Sequence, residues 1–248
     1  MSEQSILTMA REGLLALRPE DITRYLTPDE VVHIARTLDA FWVYDYKAVK
    51  QGKPGMHALL KSERHSDGFL VSKILLEPEN ILRIMANQIT MRYRDTGGSL
   101  PDWVAGVPDG ATALGKAVTN ALGVRNAKMV KVDGRISLVT PIRPTQKLLL
   151  VEDFCTRGTG FAKAVTEVKR QSPYAVVLHC SPVIVNRGGL KTISVKGIGD
   201  FSVLPVVERR ILDWDPADNG CPLCARGSTP IRPKATDENW RLLTTSQE

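Results

Sequence analysis

Residues 148–160 read Leu-Leu-Leu-Val-Glu-Asp-Phe-Cys-Thr-Arg-Gly-Thr-Gly. The apolar run Leu148–Val151 suits a strand buried on both faces. Two carboxylates, Glu152 and Asp153, stand where that strand ends. A turn of small and hydroxyl-bearing residues follows, and then a helix around Ala162–Lys169. Ligands of open parallel sheets bind at strand ends of this kind.

The amides of a glycine-rich turn and of a helix N-terminus suit a phosphate, and Thr156 and Thr159 add hydroxyl donors. The carboxylates cannot share that phosphate, because like charges repel; they suit neutral hydroxyls or a metal instead. One phosphate beside a vicinal diol describes a ribose 5-phosphate. Two commoner phosphate motifs fail. A P-loop needs Gly-Lys-Ser/Thr, and Gly160 is followed by Phe161. A dinucleotide fingerprint needs a third small residue at position 163, which is lysine. The bland reading is a plain strand–turn–helix connection with incidental acids.

Trp103–Val107 is a further apolar strand, followed by Pro-Asp-Gly and a helix carrying Leu114, Val118 and Leu122. Ala175–Leu178 and Val203–Val207 add two more strands. Strands alternating with helices over about 100 residues predict an α/β fold with a mainly parallel sheet and helices on both faces. Thr27-Pro28-Asp29-Glu30 carries a capping hydroxyl, proline at the first helical position and a carboxylate three residues after the cap. Val31, Ile34, Ala35, Leu38 and Phe41/Trp42 then recur at helical spacing, so the first fifty residues read as helix up to Gly52-Lys53-Pro54-Gly55. Another helix starts at Pro78, buries Leu82, Met85, Ala86 and Ile89, and ends before Asp95-Thr96-Gly97-Gly98. The tail from Asp213 reads as loops with one short helix at Glu238–Leu242.

The chain has 248 residues, 43% hydrophobic and 24% charged, an ordinary globular composition far from the signature of disorder. No apolar run approaches the roughly 20 residues of a membrane span. The N-terminal stretch lacks the basic start, apolar segment and cleavage site of a secretory signal, which reads as a cytoplasmic protein. A net charge of +6 and a pI near 9.2 favour an anionic partner. The basic residues are scattered, without the Lys/Arg block of a nucleic-acid arm. Cys221-Pro222-Leu223-Cys224 resembles half of a zinc ribbon site, but the chain offers no second CxxC or CxxH. The pair therefore reads as reduced thiols in a turn; zinc shared between two copies, or completed by Cys155 or Cys180, is the other reading. His33 beside an apolar helix face reads as structural, and His65 as the histidine worth mutating.

Residues 148–160 resemble the phosphoribosyl-diphosphate (PRPP) motif of type I phosphoribosyltransferases: apolar strand, two acids, two apolar residues, then Thr-x-Gly-Thr-small. Leu60–Phe69 resembles the substrate segment of the orotate phosphoribosyltransferases, usually Lys/Arg-Ser-Gly-Arg-x-Ser and an aromatic. Asp102–Gly115 is similar to their first strand and pyrophosphate loop, and Val183–Gly189 to their later strand ending Asp-Arg-x-x-Gly. The resemblance covers about residues 58–200, in the family's order. It implies a segment 1–57 of helices, a phosphoribosyltransferase core at 58–212 with a hood formed by N-terminal and C-terminal segments, and a tail at 213–248.

Roles follow from the resemblance position by position. Glu152 and Asp153 would hold the ribose hydroxyls, and Thr156, Arg157, Gly158, Thr159 and Gly160 would form the 5-phosphate loop. Lys61 would lie near pyrophosphate and base, the backbone near Phe69 would receive the pyrimidine edge, and Arg187 would pair with the orotate carboxylate. Ala127–Thr140 would be the mobile basic loop, often supplied by a neighbouring subunit, with Lys128, Lys131 and Arg135 neutralising pyrophosphate. The implied reaction displaces pyrophosphate from C1 of PRPP by a ring nitrogen of orotate, with Mg²⁺ bound mainly through PRPP, in a homodimer. The sequence departs from the pattern at Asp133-Gly134, where a histidine is often found beside the glycine, at Glu63 for glycine, at Asn186 for aspartate, and at the bulky Arg157. A transferase for another base, or a PRPP-sensing regulator that binds nucleic acid, is the competing expectation.

Overall fold

The computed structural model describes residues 5–217 and 220–248. Its contacts divide the chain into two compact units, one of residues 1–38 and 72–210, the other of residues 39–71 and 211–248. This division differs from consecutive segments 1–57, 58–212 and 213–248, because residues 58–71 pair with strands of the tail and with Phe41–Val43.

Along the chain, the first unit opens with α1 (Arg11–Ala16) and α2 (Pro28–Thr37). The second unit begins with β1 (Phe41–Val43), α3 (Tyr46–Lys50), β2 (Met56–Leu59), β3 (His65–Ser66) and β4 (Gly68–Leu70). The first resumes with α4 (Ser72–Leu76), α5 (Glu79–Asp95), β5 (Trp103–Gly106), α6 (Thr112–Leu122) and β6 (Arg125–Asn126). It continues through β7 (Met129–Val132), β8 (Arg135–Leu138), β9 (Lys147–Cys155) and α7 (Thr159–Gln171). Its last strands are β10 (Val176–Val177), β11 (Cys180–Asn186), β12 (Thr192–Val195) and β13 (Gly199–Glu208). The second unit closes with β14 (Asp213–Trp214), β15 (Thr229–Ile231) and α8 (Asp237–Thr245).

The seven-stranded sheet of the first unit has the order β12-β13-β11-β9-β5-β6, with β10 also paired to β9. All its pairings are parallel except β12 with β13. This is the α/β architecture the strand–helix alternation predicts. Helix α7 shows why: Phe161, Ala164, Val165 and Val168 are buried, one stripe at helical spacing packed on the sheet. Its start and end lie beyond the predicted 162–169, at Thr159 and Gln171.

The capping box of α2 is formed: Glu30 N–H donates to Thr27 Oγ1 and Thr27 N–H to Glu30 Oε2, at 3.2 and 2.8 Å. The helix stops at Leu38, however, where Asp39 takes φ +57°. Phe41 and Trp42 therefore do not extend its apolar face; they enter β1 and pair with Leu70 and Phe69 of β4. Residues 1–4 of the stretch read as helix lie outside the described residues. The expected strand at 175–178 shrinks to the two residues of β10, and the long strand is β11. It covers most of the stretch Val183–Gly189 that resembles a later strand and starts three residues earlier, with Pro182 inside it. Pairing of β11 with β9 begins only at Val183, so the missing N–H of Pro182 costs no ladder bond there.

Two glycines fix how closely α6 follows β5. A Cβ on Gly115 would overlap the backbone of Gly106, and one on Gly106 would overlap the carbonyl of Ala111. The backbone crossing keeps the loop Val107–Ala111 tight over the end of β5. Gly115→Ala is expected to lower the unfolding free energy by about 1–3 kcal/mol, as overpacked cores do, read from the urea midpoint; an unchanged midpoint would show that the crossing opens freely.

Candidate active site

Strand β9 is flanked by β5 along its first half, Trp103↔Leu148 to Gly106↔Val151, and by β11 along its second, Val183↔Glu152 to Asn186↔Cys155. Leu148–Val151 are completely buried. The pleat sends Glu152 and Asp153 to opposite sides of the strand end. Each carboxylate meets a glycine. Glu152 Oε1 lies 2.5 Å from where a Cβ of Gly160 would stand, and a Cβ on Gly110 would overlap the Asp153 carboxylate. The loop after β5 thus closes on Asp153, and the first turn of α7 closes on Glu152. Asp153 Oδ1 also accepts from the Phe154 N–H at 2.8 Å.

The predicted phosphate loop has the form its composition implies. Gly158 caps α7 in the left-handed region, φ +67°, where a Cβ would also strike Ile193 at 2.6 Å. The first N–H groups of the thirteen-residue α7, beginning at Thr159 and Gly160, lack intrahelical acceptors and suit an anion. Thr159 and Arg157 are exposed and Thr156 is half-buried. Arg187 is brought to this loop through its backbone, its N–H donating to Cys155 O at 2.8 Å, while Gly188 packs against the carbonyl of Thr156. Asn186 holds the turn: Nδ2 donates to Leu190 O at 2.7 Å and Oδ1 accepts from Leu190 N–H at 3.2 Å. An aspartate could not make the first of these bonds. Asp109 and Gly110 fall within Asp102–Gly115, whose resemblance to a pyrophosphate loop gives neither of them an individual role.

Residues 127–140 form a ribbon rather than a loop. Strands β7 and β8 pair antiparallel about Asp133-Gly134, with φ of +47° and +77°, the conformation of a tight hairpin turn. The register opposes Lys131 to Ile136 and Val132 to Arg135, so Lys131 and Arg135 lie on opposite faces. Arg135 borders a cavity of about 930 Å³ shared with Lys163, Thr166 and Arg170 of α7 and Lys196. Lys128 is exposed, its N–H bonded to Thr140 Oγ1 at 2.8 Å.

Lys61 and Phe69 belong to the second unit. Lys61 is exposed in the turn between β2 and β3, and Phe69 pairs with Trp42 across β1 and β4. Glu63 takes φ +59°, which explains the glycine usual there; its carboxylate receives Arg232 Nη2 at 2.6 Å. His65 is not free for substrate. It is buried against His57 and Cys224. His33 is structural as expected, its Nε2 bonded to Met9 O at 2.9 Å.

No family model matches the chain. It is 26% identical over 187 residues to the orotate phosphoribosyltransferase of Nitratiruptor sp., covering 71% of this chain and 90% of that one. It is 29% identical over 180 residues to that of Acidithiobacillus ferrooxidans, covering 71% and 87%. The structure matches the orotate phosphoribosyltransferase of Aeropyrum pernix with a TM-score of 0.52 at 16% identity, over 72% of this chain and 93% of that chain. It matches the Mycobacterium tuberculosis orotate phosphoribosyltransferase with a TM-score of 0.51 at 17% identity, over 72% and 95%. The parallel sheet and its flanking helices have the type I phosphoribosyltransferase fold. Along the sequence, the chain is similar to orotate phosphoribosyltransferases at 26–29% identity over about 71% of its length.

Burial, reinforced by the neighbouring Asp153 charge, pushes the Glu152 carboxyl up to about 8 from 4.5. Folded chains therefore hold a proton on Glu152 that unfolded chains lose between those values. The stabilising effect of this protonation is complete below about 4.5 and disappears as pH rises through about 8. Glu152→Gln removes the effect, so the variant should gain stability relative to the parent as pH rises from 5 to 9, by at most about 1.4 kcal/mol per pH unit. Parallel stability curves for the two proteins would refute the buried, protonated state.

Proposed function

We propose that this chain transfers the 5-phosphoribosyl group of PRPP to orotate, giving orotidine 5′-monophosphate and pyrophosphate. The observation that carries the reading is the pair Glu152–Asp153 at the end of β9, directly before a glycine-capped helix N-terminus. The amides of that turn, with Thr156 and Thr159, take the 5-phosphate. The two carboxylates take the adjacent ribose hydroxyls, which fixes C1 for in-line displacement. Orotate already carries an acidic ring nitrogen, so the chain has little general-base work to do. Arg187, tied by its N–H to Cys155 O, offers a planar fork for the orotate carboxylate. Lys61 and Phe69 enter this reading through the family resemblance alone.

The hard oxygen donors of Glu152 and Asp153 fit Mg²⁺ better than any softer ion. Bound with the diphosphate, Mg²⁺ would supply charge neutralisation on the leaving group. Of the ribbon bases, only those on one face can serve a single ligand, so Lys131 and Arg135 are not equivalent. The reading is cytoplasmic and homodimeric, with no helix of the described residues long and apolar enough to cross a membrane.

Titration with PRPP and then orotate, followed by orotate consumption, tests this. Asp153→Asn is expected to lower kcat/KM by roughly 100-fold. Arg187→Ala should raise the KM for orotate while leaving the PRPP dissociation constant within about twofold, since it removes a bidentate carboxylate contact only. Lys131→Ala and Arg135→Ala should differ in kcat by at least about tenfold, equal losses being incompatible with their opposite faces. PRPP binding without turnover of any base, together with salt-dependent RNA affinity, would instead identify a regulator.

A further inference from the structure

The second unit is small: 33 residues (39–71) and 38 residues (211–248), from two distant parts of the chain. Its sheets are short, a four-stranded one of order β14-β3-β2-β15 and the β1–β4 pair. Its buried cluster comprises Trp42, Tyr44, Ala58, Cys221, Leu223 and Leu243, with partly buried side chains such as Phe69 and Trp240 packed against it. A core of this size contributes little stability by itself, and a metal or disulfide would add to it. Both cysteines of the unit are free thiols.

Within it, four side chains converge. His57 on β2 and His65 on β3 meet Cys221 and Cys224 in the turn between β14 and β15. One ligand atom from each lies within 4.8 Å of all the others. His57 Nε2 is 2.9 Å from His65 Nδ1. Cys221 Sγ and Cys224 Sγ are 3.7 and 3.6 Å from His57 Nε2, and Cys224 Sγ is 3.3 Å from His65 Nδ1. Zinc bonds of about 2.3 Å to sulfur and 2.0–2.1 Å to nitrogen make tetrahedron edges of roughly 3.6 Å between S and N and 3.3 Å between N and N. The sulfur–nitrogen spacings found here match, and the nitrogens need part by only a few tenths of an ångström.

The geometry points to a structural zinc site, with Zn²⁺ held by His57 Nε2, His65 Nδ1 and the thiolates of Cys221 and Cys224. Two thiolates balance the charge of the ion, and four protein ligands leave no open position for chemistry. The group beside the cluster argues for a ligand role. Ser228 Oγ donates to Gly55 O at 3.2 Å, and therefore accepts from His57 Nδ1–H at 2.9 Å. That bond leaves the Nε2 lone pair of His57 directed at the other three groups, as outer-shell partners do in metal sites. Backbone turns shape the cysteine segment as well: Ser228 N–H donates to Leu223 O at 3.1 Å, and Gly227, at φ +83°, reverses the chain into β15. Cys224 is exposed while the other three are buried, which gives an ion access.

The sequence motif thus gains its missing half. The completing pair is His57 and His65, separated by seven residues and more than 150 residues from the cysteines. Cys155 and Cys180 take no part, since both belong to the first unit. The ion would clamp β2 and β3 to the turn that precedes β15, joining the two chain segments of this unit.

Elemental analysis of the full chain, purified without chelators or metal-affinity steps, is expected to find about one zinc per chain. Cys224→Ser should lose it. Replacement by Co²⁺ should give the visible bands of tetrahedral cobalt with thiolate charge transfer. Should Cys224→Ser fail to fold, Ser228→Ala keeps all four ligands and should bind Co²⁺ with roughly 10- to 100-fold lower affinity. A chain that carries no zinc and yields no tetrahedral cobalt spectrum would overturn the site. So would a Cys221–Cys224 disulfide in the native protein, stoichiometric iron in place of zinc, or unchanged zinc in a folded Cys224→Ser variant. Metal content is read without turnover, so this result stands apart from the proposed activity.

Discussion

Burial at the end of β9 raises the pKa of the Glu152 carboxyl, and the neighbouring Asp153 charge raises it further. The apolar half of β9 is enclosed between β5 and β11, and the strand therefore delivers Glu152 into a place where its charge is poorly solvated. The neighbouring Asp153, on the other side of the pleat, is closed in by the loop after β5. A side chain at 110 or 160 would force the Asp153 or Glu152 carboxylate to move. Neutral hydroxyls or a hard cation suit such a pair; a phosphate does not.

Much of this was legible along the chain. The apolar run, the paired acids and Thr-x-Gly-Thr-Gly are adjacent in sequence, so strand, loop and helix follow from local pattern. The capping box at Thr27 and Glu30 is equally local. The failures share a cause. Phe41 and Trp42 fit a helical stripe until β4, which lies beyond the break at 52–55, offers them a strand partner. The strand read at 175–178 is only the two residues of β10, and the long strand β11 starts at Cys180 and takes its pairing from β13 and β9, outside its own stretch of chain. Lys131 and Arg135 looked like one basic cluster, and only the hairpin register separates them.

Departures from the family pattern also acquire reasons. Glu63 adopts the left-handed backbone that a glycine would adopt more readily, and it is held by the Arg232 ion pair, an exposed contact worth little by itself. Asn186 spans its turn with both halves of its amide, a task its acidic counterpart cannot perform. These substitutions preserve backbone shape while changing the charge around it.

The sequence alone determined the α/β class, the strand–turn–helix at residues 148–160 and the capping box of α2, because each depends on residues a few positions apart. Tertiary structure decided which side chains share a face, which glycines touch the carboxylates, and that His57 and His65 stand beside Cys221 and Cys224. Those facts rest on contacts across long stretches of chain. Periodicity and motif spacing report neighbours within one element, whereas a four-residue cluster drawn from three turns and strands exists only once the sheet has set their register.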